Sequence, residues 1–264
     1  MQYTYKKVSV SYRETGSGDK TVMLLHGFLE NQKMWDGVVD VLKDTYRVFT
    51  LDLLGHGQSD GLCDIHTMEQ QAVLVNDLMQ RHKILKATLI GHSMGGYVSL
   101  AFAEMFPEKL SGLGLLNSHP FADNPGKREA RERAIKTVQT HYEAYVKAAI
   151  PSFFAHGNRD KYRKEINKLI AEALKMTPEN IIAALKGMKL RKDRSELFCK
   201  RQNYYKLWII GKKDPLIDLE TIRDLAARCK GTDYIELSEG HMSYIENKNE
   251  MPAVIKRFLQ RNIS

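Results

Sequence analysis

Over the first half of the chain, short apolar runs alternate with segments of helical spacing. Val8 to Arg13 alternates apolar and polar residues, as a strand with one solvated face does. Gly16-Ser17-Gly18-Asp19 reads as a turn. Thr21 to Leu25 (TVMLL) and Tyr46 to Leu51 (YRVFTL) predict buried strands, with helical spacing from Met34 to Leu42 between them. Met68 to His82 predicts a helix with Val73, Leu74, Leu78 and Met79 as its apolar positions. A strand over Ala87 to Ile90, a helix over Gly95 to Met105 and a strand over Leu110 to Leu116 follow. Strand and helix alternating through short connections predict an α/β fold: a mostly parallel sheet with helices on both faces.

The rhythm breaks near Pro120 and no convincing buried strand occurs before Cys199. Lys127 to Ala149 and Lys161 to Lys175 are helical stretches. Thr177-Pro178 opens a third, because threonine caps a helix and proline suits its first position. Strand and helix then resume at Leu207 to Ile210 (LWII), Leu219 to Cys229, Thr232 to Leu237 and Met251 to Arg261. The expected organisation is one core, residues 1–118 and 201–264, interrupted by a helical insertion over residues 119–200.

Charge sharpens this division. Between His119 and Lys200 there are 18 Lys/Arg against 10 Asp/Glu, which accounts for the whole net charge of +8. The insertion carries no basic-aromatic alternation and no nucleic-acid motif, so a solvated helical face is expected and nucleic acid is not an expected partner. The N-terminus has no apolar signal region and no stretch is long enough for a membrane span, so a soluble cytoplasmic protein without integral membrane association is expected. Cys63, Cys199 and Cys229 have no metal-ligand or disulfide-framework spacing. They are expected as three buried or half-buried thiols in a reducing compartment.

Candidate chemistry sits where strands end. Gly91-His92-Ser93-Met94-Gly95 follows the ATLI strand and precedes a helix. That sharp turn exposes a serine oxygen at a helix N-terminus, where the dipole favours developing negative charge. His26-Gly27-Phe28 follows TVMLL, and its glycine lets the loop pass under the serine. The backbone N–H groups of Phe28 and Met94 are the candidate oxyanion hole. Asp214, in the GKKDP turn after LWII, is the candidate acid, with Asp218 as its rival. Asn117, after the preceding strand, offers no carboxylate. His241, after TDYIEL, is the candidate base, giving the order Ser…Asp…His. His26, His92 and the loop Asp52 to Asp60 are read as structural.

With LLHGF, DLLGHGQSD, GHSMGG, GKKDP and EGHM in this order, the chain resembles the α/β-hydrolase family nearly end to end. The resemblance implies an eight-stranded sheet, a helical cap between the sixth and seventh strands, a pocket between cap and core, and no cofactor or metal. TPENIIAALKGMKLRKD looks like the cap's last helix and exit in carboxylesterase-like members. Ser93 departs from the Asp nucleophile of epoxide hydrolases and haloalkane dehalogenases. Tyr97 stands where the menaquinone-pathway lyases of this fold carry an arginine, and His92 where carbon–carbon-bond hydrolases often carry asparagine.

The expected activity is serine hydrolysis of carboxylic esters of small or medium size, through an acyl-enzyme, by a monomer or homodimer. Phe121, Tyr142, Tyr145, Phe153 and Phe154 are the candidate substrate-binding residues. The alternative is a lyase or carbon–carbon-bond hydrolase using the same triad on an anionic substrate. An arginine of the insertion facing inward, such as Arg128, Arg131 or Arg159, would favour it. A non-catalytic ligand sensor is opposed by the intact Ser, Asp and His.

Overall fold

The structure, a computed structural model, describes residues 1–261. Eight strands form one sheet: β1 (Gln2–Tyr5), β2 (Val8–Thr15), β3 (Thr21–Leu25), β4 (Arg47–Leu51), β5 (Ala87–His92), β6 (Leu110–Leu116), β7 (Tyr205–Gly211) and β8 (Thr232–Leu237). Their spatial order is β1-β2-β4-β3-β5-β6-β7-β8. β2 pairs antiparallel with β1 and β4, and all later pairs are parallel. The chain crosses over helices between parallel neighbours, which is why the inner strands are buried on both faces.

Alternation along those strands separates two cores. Met23, Leu25, Phe49 and Leu89 pack on one face with α2 (Met68–Arg81) and α3 (Met94–Met105). Val22, Leu24, Val48 and Ile90 pack on the other with α1 (Asp36–Leu42) and, from the far end of the chain, Val254, Ile255 and Phe258. Each large side chain so buried contributes roughly 1.5–3 kcal/mol. Thr67 caps α2 through a reciprocal box with Gln70, fixing where that helix starts.

Between β6 and β7 the chain is helical: α4 (Pro125–Ser152), α5 (Arg163–Ala173), α6 (Pro178–Lys189) and α7 (Ser195–Cys199). α4 is broken at His141, whose φ of −143° is not helical. Thr177 caps α6 by accepting from the Asn180 N–H at 3.3 Å. Arg194, at the start of α7, is buried and donates to Glu69 of α2 at 2.6 Å and Glu104 of α3 at 2.8 Å. The exit of the helical segment is thereby tied to the core. After β7 come α8 (Leu219–Ala226), α9 (Ser243–Glu246) and α10 (Met251–Arg261).

One expectation is corrected here, and one strand lies outside those the local pattern predicts. β1 was not read from the sequence, because four residues with one buried position give no clear alternation. The three free thiols are not found: Cys199 and Cys229 form a disulfide, and Cys63 is exposed. Cys199 ends α7 and Cys229 lies just past α8, so packing of those two helices joins residues whose spacing of 30 suggests nothing. The pairing removes the thiol argument for a reducing compartment. Among the described residues, no helix is long and apolar enough to cross a membrane.

Candidate active site

Ser93 sits between the end of β5 and the start of α3 with φ +49° and ψ −113°. A non-glycine residue in this region is strained, and the surrounding pairing holds it there. The Ser93 N–H donates to the Leu116 carbonyl at 2.9 Å, and its own carbonyl accepts from the Ser118 hydroxyl at 2.8 Å. A side chain at Gly95 would strike the Leu25 and His26 carbonyls, so only glycine lets α3 start against the end of β3. A side chain at Gly27 would meet Glu30, His92 and Ser93, which places the loop after β3 directly beside the serine. Phe28 follows on that loop and borders the same cavity as Ser93. α3 opens at Met94, while the Gly96 N–H already donates to the Ser93 carbonyl at 2.9 Å.

His241 is buried on the loop after β8, and its Nδ1 lies 2.7 Å from Asp214 Oδ2. The same Asp214 oxygen accepts from Asn117 Nδ2 at 3.1 Å, and Oδ1 accepts from the Leu216 N–H at 2.9 Å. Three elements therefore fix one carboxylate. Asp218 is exposed and bonds Thr221 instead. His241 and Ser93 face the same cavity.

Beneath them lies a buried ion pair. His92 Nδ1 is 2.8 Å from Glu30 Oε2, and His92 Nε2 is 2.9 Å from the His241 carbonyl. Both partners are acceptors, so both ring nitrogens are satisfied only if the imidazole is protonated. Burial alone would lower the His92 pKa, but the Glu30 carboxylate outweighs it and the net shift is upward. Burial would raise Glu30, but His92 outweighs it and the net shift is downward. Glu30 also accepts from the Gly27 N–H at 2.7 Å. One chain of bonds thus links the loop beside the serine, the elbow and the histidine loop. His26, by contrast, accepts from the Leu53 N–H at 2.9 Å and braces two loops.

The cavity holds about 260 Å³. Of the five aromatic candidates, the structure brings Tyr145 and Phe153 to its wall. Phe153 also packs on the His241 ring at 6.1 Å between centroids. Three lie elsewhere. Phe154, next to Phe153 but pointing away, is fully buried near Tyr162. The Tyr142 hydroxyl donates to the Leu174 carbonyl at 3.2 Å. Phe121 packs at a tilt against His119 and borders an adjoining hollow. Tyr97 lies over the cavity floor, its hydroxyl 3.3 Å from His119 Nε2. Of the arginines that could face inward, Arg131 lines the cavity, and with it along one face of α4 stand Lys127, Ala130 and Ala134, which sequence reasoning did not assign there. Their spacing, one helical turn repeated, was the signal available. Arg128 is exposed and Arg159 is not on the wall.

A family model described as alpha/beta hydrolase fold matches residues 20–248, and the chain belongs to that family. Among curated proteins, it is 28% identical to the dihydrolipoyllysine-residue acetyltransferase component of an acetoin cleaving system from Cupriavidus necator. That match covers 96% of this chain and 67% of the relative. A 2-hydroxy-6-oxononadienedioate/2-hydroxy-6-oxononatrienedioate hydrolase from Paraburkholderia phymatum is 29% identical over 74% of this chain and 65% of its own. Among solved structures, a thermophilic esterase from Thermogutta terrifontis, with malate bound, superposes with a TM-score of 0.90 at 27% identity. It covers 97% of this chain and 95% of that one.

Proposed function

We propose that the chain is a serine hydrolase that cleaves carboxylic esters through an acyl-enzyme. The observation that carries this reading is the 2.7 Å bond between Asp214 and His241, in one cavity with a serine held at positive φ on a strand-to-helix elbow. The His241 Nδ1–H donates a hydrogen bond to Asp214, which leaves Nε2 free to take the Ser93 proton. Ser93 Oγ attacks the acyl carbon, and the negative oxygen is stabilised by the N–H groups of Phe28 and Met94. The tetrahedral adduct collapses, the alkoxide leaves with the proton from His241, and the acyl group stays on Ser93. Water, deprotonated by His241, then attacks the acyl-enzyme and releases the acid by the same route. The helices between β6 and β7 act as a cap whose Tyr145 and Phe153 shape the substrate pocket. The Thermogutta esterase supports the reaction class by likeness.

A second reading keeps the triad but cleaves a carbon–carbon bond or eliminates from an anionic substrate. Arg131 on the cavity wall favours it, as does the likeness to the Paraburkholderia hydrolase. Hydrolysis of p-nitrophenyl esters from acetate to long chains, by wild type and Ser93→Ala, separates the two. Turnover that vanishes in the variant supports ester hydrolysis, and the chain-length optimum reports the pocket. No turnover by folded wild type sinks the first reading and leaves the second.

A further inference from the structure

The cationic groups of the cavity are concentrated on the side made by α4 and the strand-end loop after β6. Lys127 and Arg131, four residues apart on α4, both line it, and His119 lies beside them. Behind Tyr97, the Arg191 guanidinium covers the ring face at 4.0 Å from its centroid. Asp123 is the one carboxylate bound by this group, and it pairs with Arg131 and Arg191 together. Two guanidinium charges therefore share one carboxylate, while the hydrogen bond from Lys127 goes to the Leu216 carbonyl at 3.2 Å. On the cavity wall itself stand two cations, Lys127 and Arg131, with no carboxylate between them. Asp193 and Asp218 border an adjoining hollow that Lys127 also borders, and with Asp214 they offset part of this charge from outside the wall, while Glu30 across the cavity is paired with His92.

The cations are also short of acceptors. Besides Asp123, Arg131 reaches the sulfur of Met188 at 3.5 Å, a weak acceptor for a guanidinium. Arg191 Nη2 and His119 Nδ1 are buried without a hydrogen-bond partner. A buried guanidinium N–H left in this state costs folding free energy unless something occupies it. Burial, and then the charges of Arg191, Lys127 and Arg131, press the His119 pKa well down, so its ring stays neutral and adds no repulsion. Apolar side chains make much of the remaining wall, among them Ala130, Ala134, Leu185, Ile217, Tyr145 and Phe153.

From this arrangement we infer that the pocket takes an ester carrying its own carboxylate, which Lys127 and Arg131 hold while Ser93 attacks the ester carbonyl. The inference rests on the serine-ester reading of the same site. A planar guanidinium beside an ammonium matches a carboxylate, and two cations on one wall offset part of its desolvation. The small cavity and its apolar wall fit a short aliphatic body between the two ends.

The test compares 4-nitrophenyl hydrogen adipate with its methyl ester, which differs only in hiding the distal carboxylate. Wild type is expected to show kcat/KM about 10-fold or more higher for the free acid, the size of a lost charged hydrogen bond. That ratio falls toward one in Arg131→Gln and in Lys127→Gln. Lys136→Gln, on an exposed position of the same helix, keeps it. If Arg131→Gln fails to fold without its Asp123 partner, Lys127→Gln still decides, because its side chain is exposed at the mouth. A ratio near one in wild type, or a high ratio that both glutamine variants retain, overturns the inference while leaving ester hydrolysis standing. If neither ester is turned over, ester hydrolysis fails. The subsite is then decided by calorimetric titration of Ser93→Ala with monomethyl adipate. Saturable binding weakened by Lys127→Gln supports it, and absence of saturation overturns it.

Discussion

On the sheet side of the cavity, the polar groups nearest Ser93 are held by partners from several different elements. On the α4 side, two guanidinium groups share one carboxylate and one of them rests against a sulfur. Asp214 is fixed by His241, Asn117 and the Leu216 N–H, and His92 spans Glu30 and the His241 carbonyl. Arg131 and Arg191 divide Asp123 between them, and Arg191 Nη2 has no hydrogen-bond partner. The difference is what separate tasks require. Proton transfer and oxyanion stabilisation need groups held to within about 0.5 Å. Binding a charged group needs donors that are not already spent on the protein. A site satisfied throughout would have no unmet donors to offer a ligand.

Several substitutions would break or sharpen this contrast. The largest effects belong to the sheet side. Replacing His241 with alanine should lower kcat for a p-nitrophenyl ester by roughly 10⁴-fold or more, read by steady-state kinetics. Asp214→Asn should cost about 10⁴-fold, because the amide favours the wrong imidazole tautomer. A mere few-fold loss in either would remove that residue from the proposed triad.

Glu30→Gln tests the brace beneath the triad. It leaves a buried imidazolium without its counter-charge, and breaking such a pair costs about 3–5 kcal/mol. Thermal unfolding against pH should show the linkage in the wild type. His92 is shifted upward, so its contribution is complete below the ordinary histidine value and is lost as pH rises through the raised one. Glu30 is shifted downward, so its contribution is complete above the ordinary carboxylate value and is lost as pH falls through the depressed one. Stability from the pair is therefore highest between these limits. An unchanged melting profile in Glu30→Gln would mean the pair carries little.

A smaller and more selective effect separates neighbours in the chain. Phe154→Ala should destabilise by about 3–5 kcal/mol, as for a large core truncation, and leave the ester chain-length optimum in place. Phe153→Ala should instead shift that optimum toward longer acyl chains with a modest loss of stability, because Phe153 faces the cavity and Phe154 does not. The pair is checked by thermal denaturation and the ester series together.

The same contrast governs what could be read from the sequence. The parallel strands, the elbow and the loop positions of Asp214 and His241 follow from local pattern, because strand ends and tight turns impose residue types. Gly27 and Gly95 are fixed by contacts within a few ångströms of the serine. The short edge strand Gln2–Tyr5 leaves too little pattern to detect. Residues of the helical segment are different. Both faces of an isolated helix look plausible until its neighbour is known, so Lys127 reads as part of a solvated basic face and Arg131 as one of three arginines that could turn inward. Phe153 and Phe154 were equal candidates, and one step along the chain sends them to different surroundings. Glu30 was invisible because its partner His92 lies 62 residues away. The Cys199–Cys229 bond was hidden for the same reason, since helix packing and not spacing brings the sulfurs together.

The central claim is that Ser93 is a nucleophile activated by His241 and Asp214, and covalent capture tests it most directly. The folded protein would be treated with an alkyl fluorophosphonate and its intact mass and peptides measured. The account predicts one stoichiometric adduct on the peptide containing Gly91 to Gly96, absent in Ser93→Ala and strongly slowed in His241→Ala. Folded wild type that stays unmodified, or that carries its adduct on another residue, would contradict it.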